Sequence, residues 1–302
     1  MTVAERRNVG GATWREFAVT QLHDREAIRP LLEGQRAYAA YALGQLDPRL
    51  FHLTEWWHSD GAGSDALVLH SSGGLGKATF LSGEVQALEA VLRIHPGPRS
   101  TFLTCEPHHL ETVTRYFDLH QRQLMMRMQV TADTFHASPD AIAVRRLDGG
   151  DARRINSLYR SDGVASFYQP RQIEDAVYYG VERDARLVAI AGTHVVSSSN
   201  AIAVVGNVYT HPVHRGQHLA QATTSAVTEQ LLRFCREVVL SVDPDNAPAV
   251  RAYERLGYRE VARLIEGAAL RRDVTGLMAA VRRLAARARG KGQDKEIVRL
   301  RA

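Results

Sequence analysis
The stretch NVYTHPVHRGQHLAQATTSAV (residues 207–227) leads an apolar, β-favouring segment through an Arg-Gly turn into a helical pattern. Residues 201–210 read as a strand, and beyond Gly216 apolar residues recur at steps of three and four, which indicates one face of a helix. The first turn of a helix leaves backbone N–H groups without partners and carries partial positive charge. A turn with little side-chain bulk lets a phosphate reach those donors. The stretch therefore predicts an anion cradle, with an ordinary strand-to-helix connection as the alternative.

A second stretch, VDPDNAPAVRAYERLGY (residues 242–258), follows another predicted strand and carries its own helix signals. Asn246 is a favourable N-cap and Gly257 is a natural helix stop. Tyr253 shares the apolar side of this helix with Ala249 and Leu256, so we expect it to point inward between the two strand–helix units. A buried tyrosine usually packs and finds a partner for its hydroxyl. Its expected position near the same strand ends as the cradle favours a role in ligand binding.

Together the two stretches resemble the GNAT acetyltransferase superfamily, which transfers an acyl group from acyl-CoA to an amine. The family's pyrophosphate loop, Arg/Gln-x-x-Gly-x-Gly/Ala, is matched by Arg215, Gly216, Gln217, His218, Leu219 and Ala220. The family's Asn-x-x-Ala-x-x-x-Tyr-x-x-x-Gly-Phe/Tyr segment is matched by Asn246, Ala249, Tyr253, Gly257 and Tyr258. The resemblance covers residues 143–267, with one departure. His218 replaces the glycine whose missing side chain normally lets the backbone approach the pyrophosphate.

The resemblance also sets the expected architecture. FYQPRQIEDAVYYGVERDARLVAIAG (residues 167–192) is similar to members that carry a degenerate GNAT-like half before the active one, as in the glycine N-acyltransferase arrangement. We therefore expect a mixed α/β (α+β) fold of two tandem GNAT-like domains, each a mostly antiparallel mixed sheet flanked by helices. The predicted segments are a degenerate N-terminal domain over 1–136, a catalytic acetyltransferase domain over 143–270, and a basic C-terminal helix and tail over 271–302.

The first half of the chain is expected to begin, from residue 13, with two helices, and the helical spacing is clear over residues 29–46. DALVLHS and KATFLSG read as two strands joined through residues 72–76, followed by further helices and strands. SGGLGKA (residues 72–78) has some glycines of a phosphate loop. However, Ser71 and Ala78 stand where the first glycine and the magnesium-binding hydroxyl of such a loop belong, so a hairpin turn is the favoured interpretation.

Composition limits the function classes. The 302 residues are 45% hydrophobic and 24% charged, as in globular proteins, and no apolar run is long enough to span a bilayer. The start, MTVAERRNVGG, lacks the apolar core of a signal peptide. Cys105 and Cys235 are too few for a disulfide framework. We therefore expect a cytoplasmic protein without a membrane partner.

Most of the positive charge lies in one segment. Residues 271–302 contain ten Lys and Arg against three acidic residues, so this segment carries +7 and the remainder −2 of the net +5. A body that binds nucleic acid is thereby disfavoured. Leu277, Val281 and Leu284 share one face of a basic helix, which we expect to dock that apolar stripe and to end in a solvated, frayed segment. Contact of this segment with nucleic acid or a membrane is the alternative.

The resemblance implies acetyl-CoA as the cofactor and assigns its contacts. The loop of residues 215–220 would hold the pyrophosphate, and Asn246 would contact the pantetheine arm. Backbone donors at the splayed end of the central strand would bind the acyl group; they belong to Val208, Tyr209 and Thr210. Tyr253 would protonate the leaving thiolate, because the pKa of a phenol is about 10 and that of a free thiol is about 8.5.

The base and the acceptor pocket are less determined. Family members often place a glutamate on the central strand, but AVVGNVYT has none. His194 on the neighbouring strand is the best substitute, because an imidazole titrates near neutrality; a hydrogen-bonded histidine on a sheet face is an equal alternative. The residues expected to line the acceptor pocket, with water as an optional proton relay, are Tyr168, Glu174, Tyr178 and Asn207.

The leading prediction is an acetyl-CoA-dependent N-acetyltransferase that transfers acetyl directly to the primary amine of a small-molecule or amino-acid-like acceptor. The alternative is a catalytically degraded acyl-CoA-binding regulatory or scaffold protein, motivated by His218 and the missing strand carboxylate. Acetylation of a protein or peptide would need an open acceptor groove. A homodimer is left open. No metal is expected: His211, His214 and His218 have a zinc-like spacing but straddle a turn and a helix start.

Overall fold
The computed structural model describes residues 13–73, 76–291 and 295–301, and both strands and helices occur along these ranges. In these ranges the strands are, in chain order, β1 (Trp14–Leu22), β2 (Thr54–Gly61), β3 (Ser64–Ser71), β4 (Ala78–Gly83), β5 (Ser100–Cys105), β6 (Phe117–Thr131), β7 (Arg145–Arg146), β8 (Tyr179–Arg183), β9 (Arg186–Ser197), β10 (Ile202–Thr210), β11 (Glu237–Val242), β12 (Arg259–Arg271) and β13 (Glu296–Arg301). The α-helices are α1 (Arg25–Glu33), α2 (Ala40–Gly44), α3 (Pro48–Phe51), α4 (Val85–Ile94), α5 (Leu110–Tyr116), α6 (Ala152–Arg160), α7 (Pro170–Glu174), α8 (Leu219–Leu232), α9 (Ala247–Arg255) and α10 (Leu277–Arg289).

By their contacts these elements form two units. Unit 1 takes the described residues of 1–34, 48–124 and 263–302, and unit 2 takes those of 35–47 and 125–262. These units do not follow the predicted segments, because residues 35–47 and 125–136 belong to unit 2 and residues 263–302 belong to unit 1. Arg36 Nε lies 2.5 Å from Oε1 of the buried Glu237. Asn200 Nδ2 donates to the Leu43 carbonyl at 3.0 Å.

Unit 1 is a mixed sheet with helix α4 packed on it. Its strand order is β13-β1-β2-β3-β4-β5-β12, and of these neighbouring pairs only β4 with β5 is parallel. Apolar residues at helical spacing give α4 a buried side, and Leu88 and Leu92 enter a core with Phe17, Val68 and Leu103. The helix connects the two parallel strands, as a parallel pair requires.

Unit 2 repeats this arrangement. Its strand order is β6-β11-β10-β9-β8-β7, and the parallel pair here is β10 with β11, connected through α8. Thr224, Val227 and Leu231 on α8 are buried, whereas Phe234, predicted on the same face, lies beyond the helix and is 40% exposed. Each unit thus contains one strand–helix–strand crossover in an otherwise antiparallel sheet. The predicted mixed α/β class is confirmed.

The beginning of the described chain is a strand rather than the predicted helix. The segment WREFAVTQL forms β1, in which Phe17 and Val19 are buried. Their spacing is the two-residue period of a strand, which the helical interpretation missed. The helical spacing over residues 29–46 is divided between α1 and α2, with Gly34 at the end of α1. The predicted β3–β4 hairpin pairs antiparallel, although residues 74 and 75 of its turn lie outside the described residues.

The basic C-terminal segment docks by a different face from the one predicted. Leu277 and Leu284 are 64% and 67% exposed, whereas Ala279 and Ala286 on the other side of α10 are buried. The small alanine side chains allow close packing of this helix in unit 1. The expected frayed end is also wrong, because residues 296–301 form β13 and pair antiparallel with β1. Residues 292–294 of the predicted interruption lie outside the described residues. No helix in the described ranges has the length and apolarity needed to cross a bilayer.

Candidate functional site
An open helix start follows β10 in unit 2. Gly216 has φ 77°, and a Cβ at this position would meet no atom within 4 Å. The backbone N–H groups of residues 217–220 donate to no acceptor among the described residues. They stand at the positive end of a 14-residue helix. Free amides, a glycine turn and open space fit a diphosphate, so the loop residues expected to bind one are gathered at a single helix start.

His218 keeps the backbone shape that a glycine would give this loop. Its φ of 59° lies in the left-handed region, which histidine enters more readily than most residues. The ring is half exposed, and its Nδ1 lies 3.5 Å from the Asp140 carboxylate. Arg215 folds back so that its Nε donates to the Thr210 carbonyl at 3.2 Å. The substitution at 218 therefore leaves the turn itself intact.

Strands β10 and β11 separate beside this cradle. They pair over residues 202–205 and 237–240, and their pairing goes no further along the described strands. Beyond Val205, β10 pairs with β9 through a bulge between Gly206 and Tyr209. Residues 208–210, which were expected to bind an acyl group through their backbone, thus face an opening on the β11 side.

Tyr253, on helix α9, belongs to the apolar cluster that contains Val205 and Leu240, the last residues of the β10–β11 pairing. It is 7% exposed and packs in one apolar cluster with Val205, Val208 and Val242. Burial raises the pKa of its hydroxyl to about 12. No residue in the described ranges makes a hydrogen bond to that hydroxyl. The inward orientation predicted from the helical spacing is confirmed.

A hydrogen-bonded chain connects three of the residues proposed for the acceptor side. The Tyr41 hydroxyl lies 2.7 Å from His194 Nδ1, His194 bonds to the Asn207 side chain, and Asn207 Nδ2 donates to the Tyr178 hydroxyl at 2.7 Å. These contacts are satisfied together when Nδ1 accepts from Tyr41 and Nε2–H donates to Asn207 Oδ1. Burial lowers the pKa of His194, the bond to Asn207 raises it, and the charge of Arg127 lowers it further. His194 is therefore a neutral imidazole near neutral pH.

Two glycines make room for this chain. Gly192 and Gly206 are partners across β9 and β10. A Cβ on Gly206 would overlap the His194 ring, and a Cβ on Gly192 would overlap the Tyr178 ring. Both rings consequently occupy the space that a side chain at each glycine would fill. Asn207 reaches them because its φ of 52° turns it out of the regular strand alternation.

A comparison with protein families identifies the segment that holds these residues. Residues 151–258 match the model of the acetyltransferase (GNAT) family. This segment is a GNAT acetyltransferase domain. It contains the cradle, the strand opening and Tyr253. No curated protein matches the sequence.

Solved structures share the fold over most of the chain. A Drosophila protein has a TM-score of 0.60 at 14% identity, over 83% of this chain and 98% of that one. A GCN5-related N-acetyltransferase from Sphaerobacter thermophilus has a TM-score of 0.52 at 17% identity, over 83% and 95%. A tandem GNAT protein from the clavulanic acid biosynthesis pathway has a TM-score of 0.50 at 17% identity, over 84% and 98%. At these identities the similarity concerns the fold, and it agrees with the tandem arrangement expected from the sequence.

An aromatic group in the GNAT domain adjoins the acceptor residues. The Tyr168 ring meets the Tyr178 ring edge-on, with centroids 6.2 Å apart, and stacks on Tyr159 at 5.6 Å. Tyr159 in turn contacts Tyr209, with centroids 4.6 Å apart. The Tyr209 hydroxyl donates to Asp162 at 2.6 Å. Tyr168 and Tyr178 thus lie together, as the acceptor-pocket hypothesis requires.

Two other predicted residues of the GNAT domain lie at its surface. Asn246 is exposed and caps α9, accepting from the Ala249 N–H at 3.3 Å. The cap predicted at this position is confirmed, and its contact with pantetheine stays a prediction. Glu174 is exposed at the end of α7, where its side chain lies against Gly149. No contact described for Glu174 joins it to Tyr178 or Asn207.

Sequence reasoning missed two residues of this site. Tyr41, on α2, bonds to His194, and the buried Arg127, on β6, lies with its guanidinium 5.2 Å from the centre of the Tyr41 ring. Both come from outside the family motif, from segments read as part of the N-terminal half. An arginine within the apolar strand MMRMQV was the available signal, since a buried charge needs a specific reason.

The histidines with zinc-like spacing do not form a metal-type group in the described ranges. The group of such ligands found there is Glu106, His108 and His109. His109 is already occupied at both ring nitrogens, because Nε2 donates to the Gly83 carbonyl at 2.7 Å and Nδ1 accepts from the Glu106 N–H at 3.3 Å. One of the two imidazoles of that group is therefore already used, and Glu106 and His108 are the two ligands that it leaves.

Proposed function
We propose that the chain is an acetyl-CoA-dependent N-acetyltransferase that acetylates the primary amine of a small, amino-acid-like molecule by direct transfer. The observation that carries this proposal is a buried tyrosine hydroxyl with no described protein partner, at the opening between β10 and β11 beside a free helix start. We place the activity in the cytoplasm, where the buried Cys105 and Cys235 stay reduced.

The cofactor site would use backbone more than side chains. Bound acetyl-CoA supplies the activated thioester. The amides of residues 217–220 would bind its diphosphate, Asn246 its pantetheine arm, and the backbone of residues 208–210 its acyl group. Backbone donors preorganised at the acyl oxygen stabilise the charge that develops there during transfer.

Tyr253 would act on the departing sulfur. Its pKa, raised by burial to about 12, keeps the phenol protonated near neutral pH. A CoA-type thiol is more acidic, near about 8.5, so at equilibrium the proton would stay largely on the tyrosine oxygen. Tyr253 would therefore stabilise the leaving thiolate by a strong hydrogen bond in the transition state and complete the proton transfer as the products separate.

His194 would receive the amine proton. Its Nδ1 faces the Tyr41 hydroxyl, so Tyr41 would take a proton from the amine while passing its own to Nδ1. Asn207 would hold the ring in the required tautomer. This relay replaces the carboxylate that β10 lacks, and it makes Tyr41 the group that meets the acceptor.

The charge of Arg127 favours an acceptor with a carboxylate near its amine. The guanidinium is buried on the sheet beside Tyr41 and lowers the pKa of His194 through its charge. Arg127 is fully buried, so it would act on the acceptor's carboxylate through its electric field rather than by contact. The acceptor class that fits is an amino acid or a close analogue.

The test is a comparison of matched amines. Release of free CoA from acetyl-CoA would be measured with amino acids and with the corresponding amines that lack the carboxylate, for example leucine against isoamylamine. We expect kcat/KM to be at least tenfold higher for the amino acids. Equal rates would remove Arg127 from acceptor recognition, and no rate with any amine would remove the proposed function.

The degraded acyl-CoA-binding protein is the second candidate, favoured by the histidine at position 218 and by the absence of a carboxylate from β10. It predicts that CoA binds by calorimetry and that no amine in a broad panel is acetylated. A homodimer stays a prediction, to be measured by sedimentation velocity.

A further inference from the structure
Unit 1 contains a cavity that the proposed reaction does not use. Its volume is about 530 Å³, and it lies where α4 ends and β4 begins, with one wall from α10. The cradle of unit 2 lies between β10 and α8, and the corresponding position in unit 1 is the junction between β4 and α4, at residues 83–85. The cavity lies at the other end of β4 and α4. The cavity is thus a separate feature of unit 1.

Positive charge dominates the cavity lining. Its cationic residues are Lys77, Arg271, Arg283 and Arg287. Glu55 is the carboxylate in the lining. Glu296, outside the lining, pairs with Arg287 at 2.6 Å. Four positive groups against these two carboxylates leave an excess of two positive charges. Lys77 belongs to the SGGLGKA segment, which the sequence indicated as a hairpin turn.

The arginines are oriented by neutral backbone groups. Arg271 donates through Nε to the Asp273 carbonyl at 2.8 Å and through Nη1 to the Gly97 carbonyl at 2.5 Å. Arg283 donates through Nε to the Ile94 carbonyl at 3.3 Å, at the end of α4. Among the described residues no carboxylate lies within ion-pair distance of Arg271, Arg283 or Lys77. Each guanidinium has five N–H groups, so donors and charge remain for a ligand.

In the opposite wall both ring nitrogens of His70 are paired, whereas Trp57 Nε1 is a buried donor without a partner in the described ranges. Residues 96–98 form a Pro-Gly-Pro turn in which Gly97 has φ 78°, and a Cβ on Gly97 would overlap the His70 ring. His70 Nε2 donates to the His95 carbonyl at 3.2 Å, and Nδ1 accepts from Thr79 at 3.0 Å. The Trp57 ring stacks on His95 with centroids 3.4 Å apart. Polar recognition therefore falls mainly to the cationic wall, and the stacked Trp57 and His95 rings provide an apolar contact surface.

We propose that this cavity binds a small organic dianion, a phosphomonoester or a dicarboxylate, through Lys77, Arg271 and Arg283. The volume is within the range of about 300–1,000 Å³ typical of small-molecule sites. Guanidinium groups match phosphate and carboxylate oxygens through paired hydrogen bonds, which gives orientation as well as charge. Two negative charges on the ligand balance the excess in the lining.

The test uses the full chain and isothermal titration calorimetry. The probes are phenyl phosphate and succinate, with phenol and succinamide as their neutral counterparts. Arg283→Gln and, separately, Lys77→Gln each remove one lining charge. Arg282→Gln is the matched control, because Arg282 is the neighbour on the same helix but does not line the cavity. Thermal unfolding of each variant checks that it folds.

We expect at least one dianion to bind with a Kd below 1 mM (about −4 kcal/mol), and its identity gives the ligand class. Arg283→Gln and Lys77→Gln should each weaken it at least fivefold, and Arg282→Gln less than twofold. Equal weakening by Arg282→Gln and Arg283→Gln, or equal binding of the neutral probes, would overturn the proposal. So would binding that Gly216→Asp abolishes and Arg283→Gln leaves unchanged, since it would place the probe in the cradle of unit 2. Failure of both dianions to bind would also overturn it.

Discussion

Replacing Tyr253 by phenylalanine should separate catalysis from stability. The hydroxyl has no hydrogen-bond partner in the described ranges and belongs to a side chain that is 7% exposed, so its removal breaks no described protein hydrogen bond. Relative to the parent protein, we expect the free energy of unfolding to fall by no more than about 0.5 kcal/mol or to rise by up to about 1 kcal/mol. A proton donor to a leaving group contributes about 10²–10⁴-fold, which raises the barrier by about 3–5 kcal/mol when it is lost. The KM for acetyl-CoA should change little, because the diphosphate contacts lie at residues 217–220.

The neighbouring Tyr258 offers a matched control. Its hydroxyl lies 2.7 Å from the Thr228 hydroxyl, and both side chains are buried. Tyr258→Phe leaves the Thr228 hydroxyl without that partner, so we expect a loss of about 1–2 kcal/mol in the free energy of unfolding. Its kcat should stay within about twofold of the parent protein, because the ring still packs in the core.

Urea unfolding followed by circular dichroism gives the stabilities, and initial rates of CoA release give kcat. The two variants should therefore move in opposite directions: Tyr253→Phe loses turnover and keeps stability, and Tyr258→Phe loses stability and keeps turnover. Unchanged kcat in Tyr253→Phe would refute the role of this phenol. A loss of stability in Tyr253→Phe equal to that of Tyr258→Phe would refute the account of a hydroxyl without a protein partner.

Three further outcomes follow from described residues. Burial lowers the pKa of His70 and of His109 to about 4, so unfolding binds protons below pH 6.5. The free energy of unfolding should therefore fall by up to about 3 kcal/mol per histidine between pH 6.5 and 4 and then level off. Urea titrations at stepped pH measure this, and a flat profile would contradict it. Gly206→Ala should cost about 1–3 kcal/mol and reduce kcat, because the new methyl group overlaps the His194 ring; unchanged kcat would argue against the His194 base. His218→Gly should change the free energy of unfolding by less than about 1 kcal/mol, because the relief of left-handed backbone strain offsets the larger conformational entropy of glycine in the unfolded chain. Calorimetry should show CoA binding as tightly or more tightly. Tenfold weaker binding would show that the imidazole itself contacts CoA.

The parts of the site that the sequence predicted are those encoded locally. The glycine turn and the start of α8 follow from neighbouring residues, as does the inward orientation of Tyr253 on α9. The helix N-cap at Asn246 was predicted in the same way. A helix start and its spacing depend on a few adjacent residues, so one sequence suffices to find them.

The parts that it missed depend on residues distant in the chain. Nothing near Tyr41 indicates that it bonds to His194. The apolar neighbours of Arg127 signal its burial, but its place beside Tyr41 depends on contacts between segments distant in the chain. The docking face of α10 was predicted from its leucines, but the structure packs its alanines. Hydrophobic spacing identifies an apolar face, whereas the shape of the opposing surface decides which face packs.

The antiparallel ladder between β1 and β13 joins the two ends of the described chain, so unit 1 cannot complete its sheet until residue 301 has been synthesised. Contacts between such distant segments carry a large loop-closure cost and slow folding. Until then β1 presents an unpaired edge, which is a template for aggregation. A truncation after α10 should therefore reduce soluble yield during expression even though it leaves every residue of unit 2 in place.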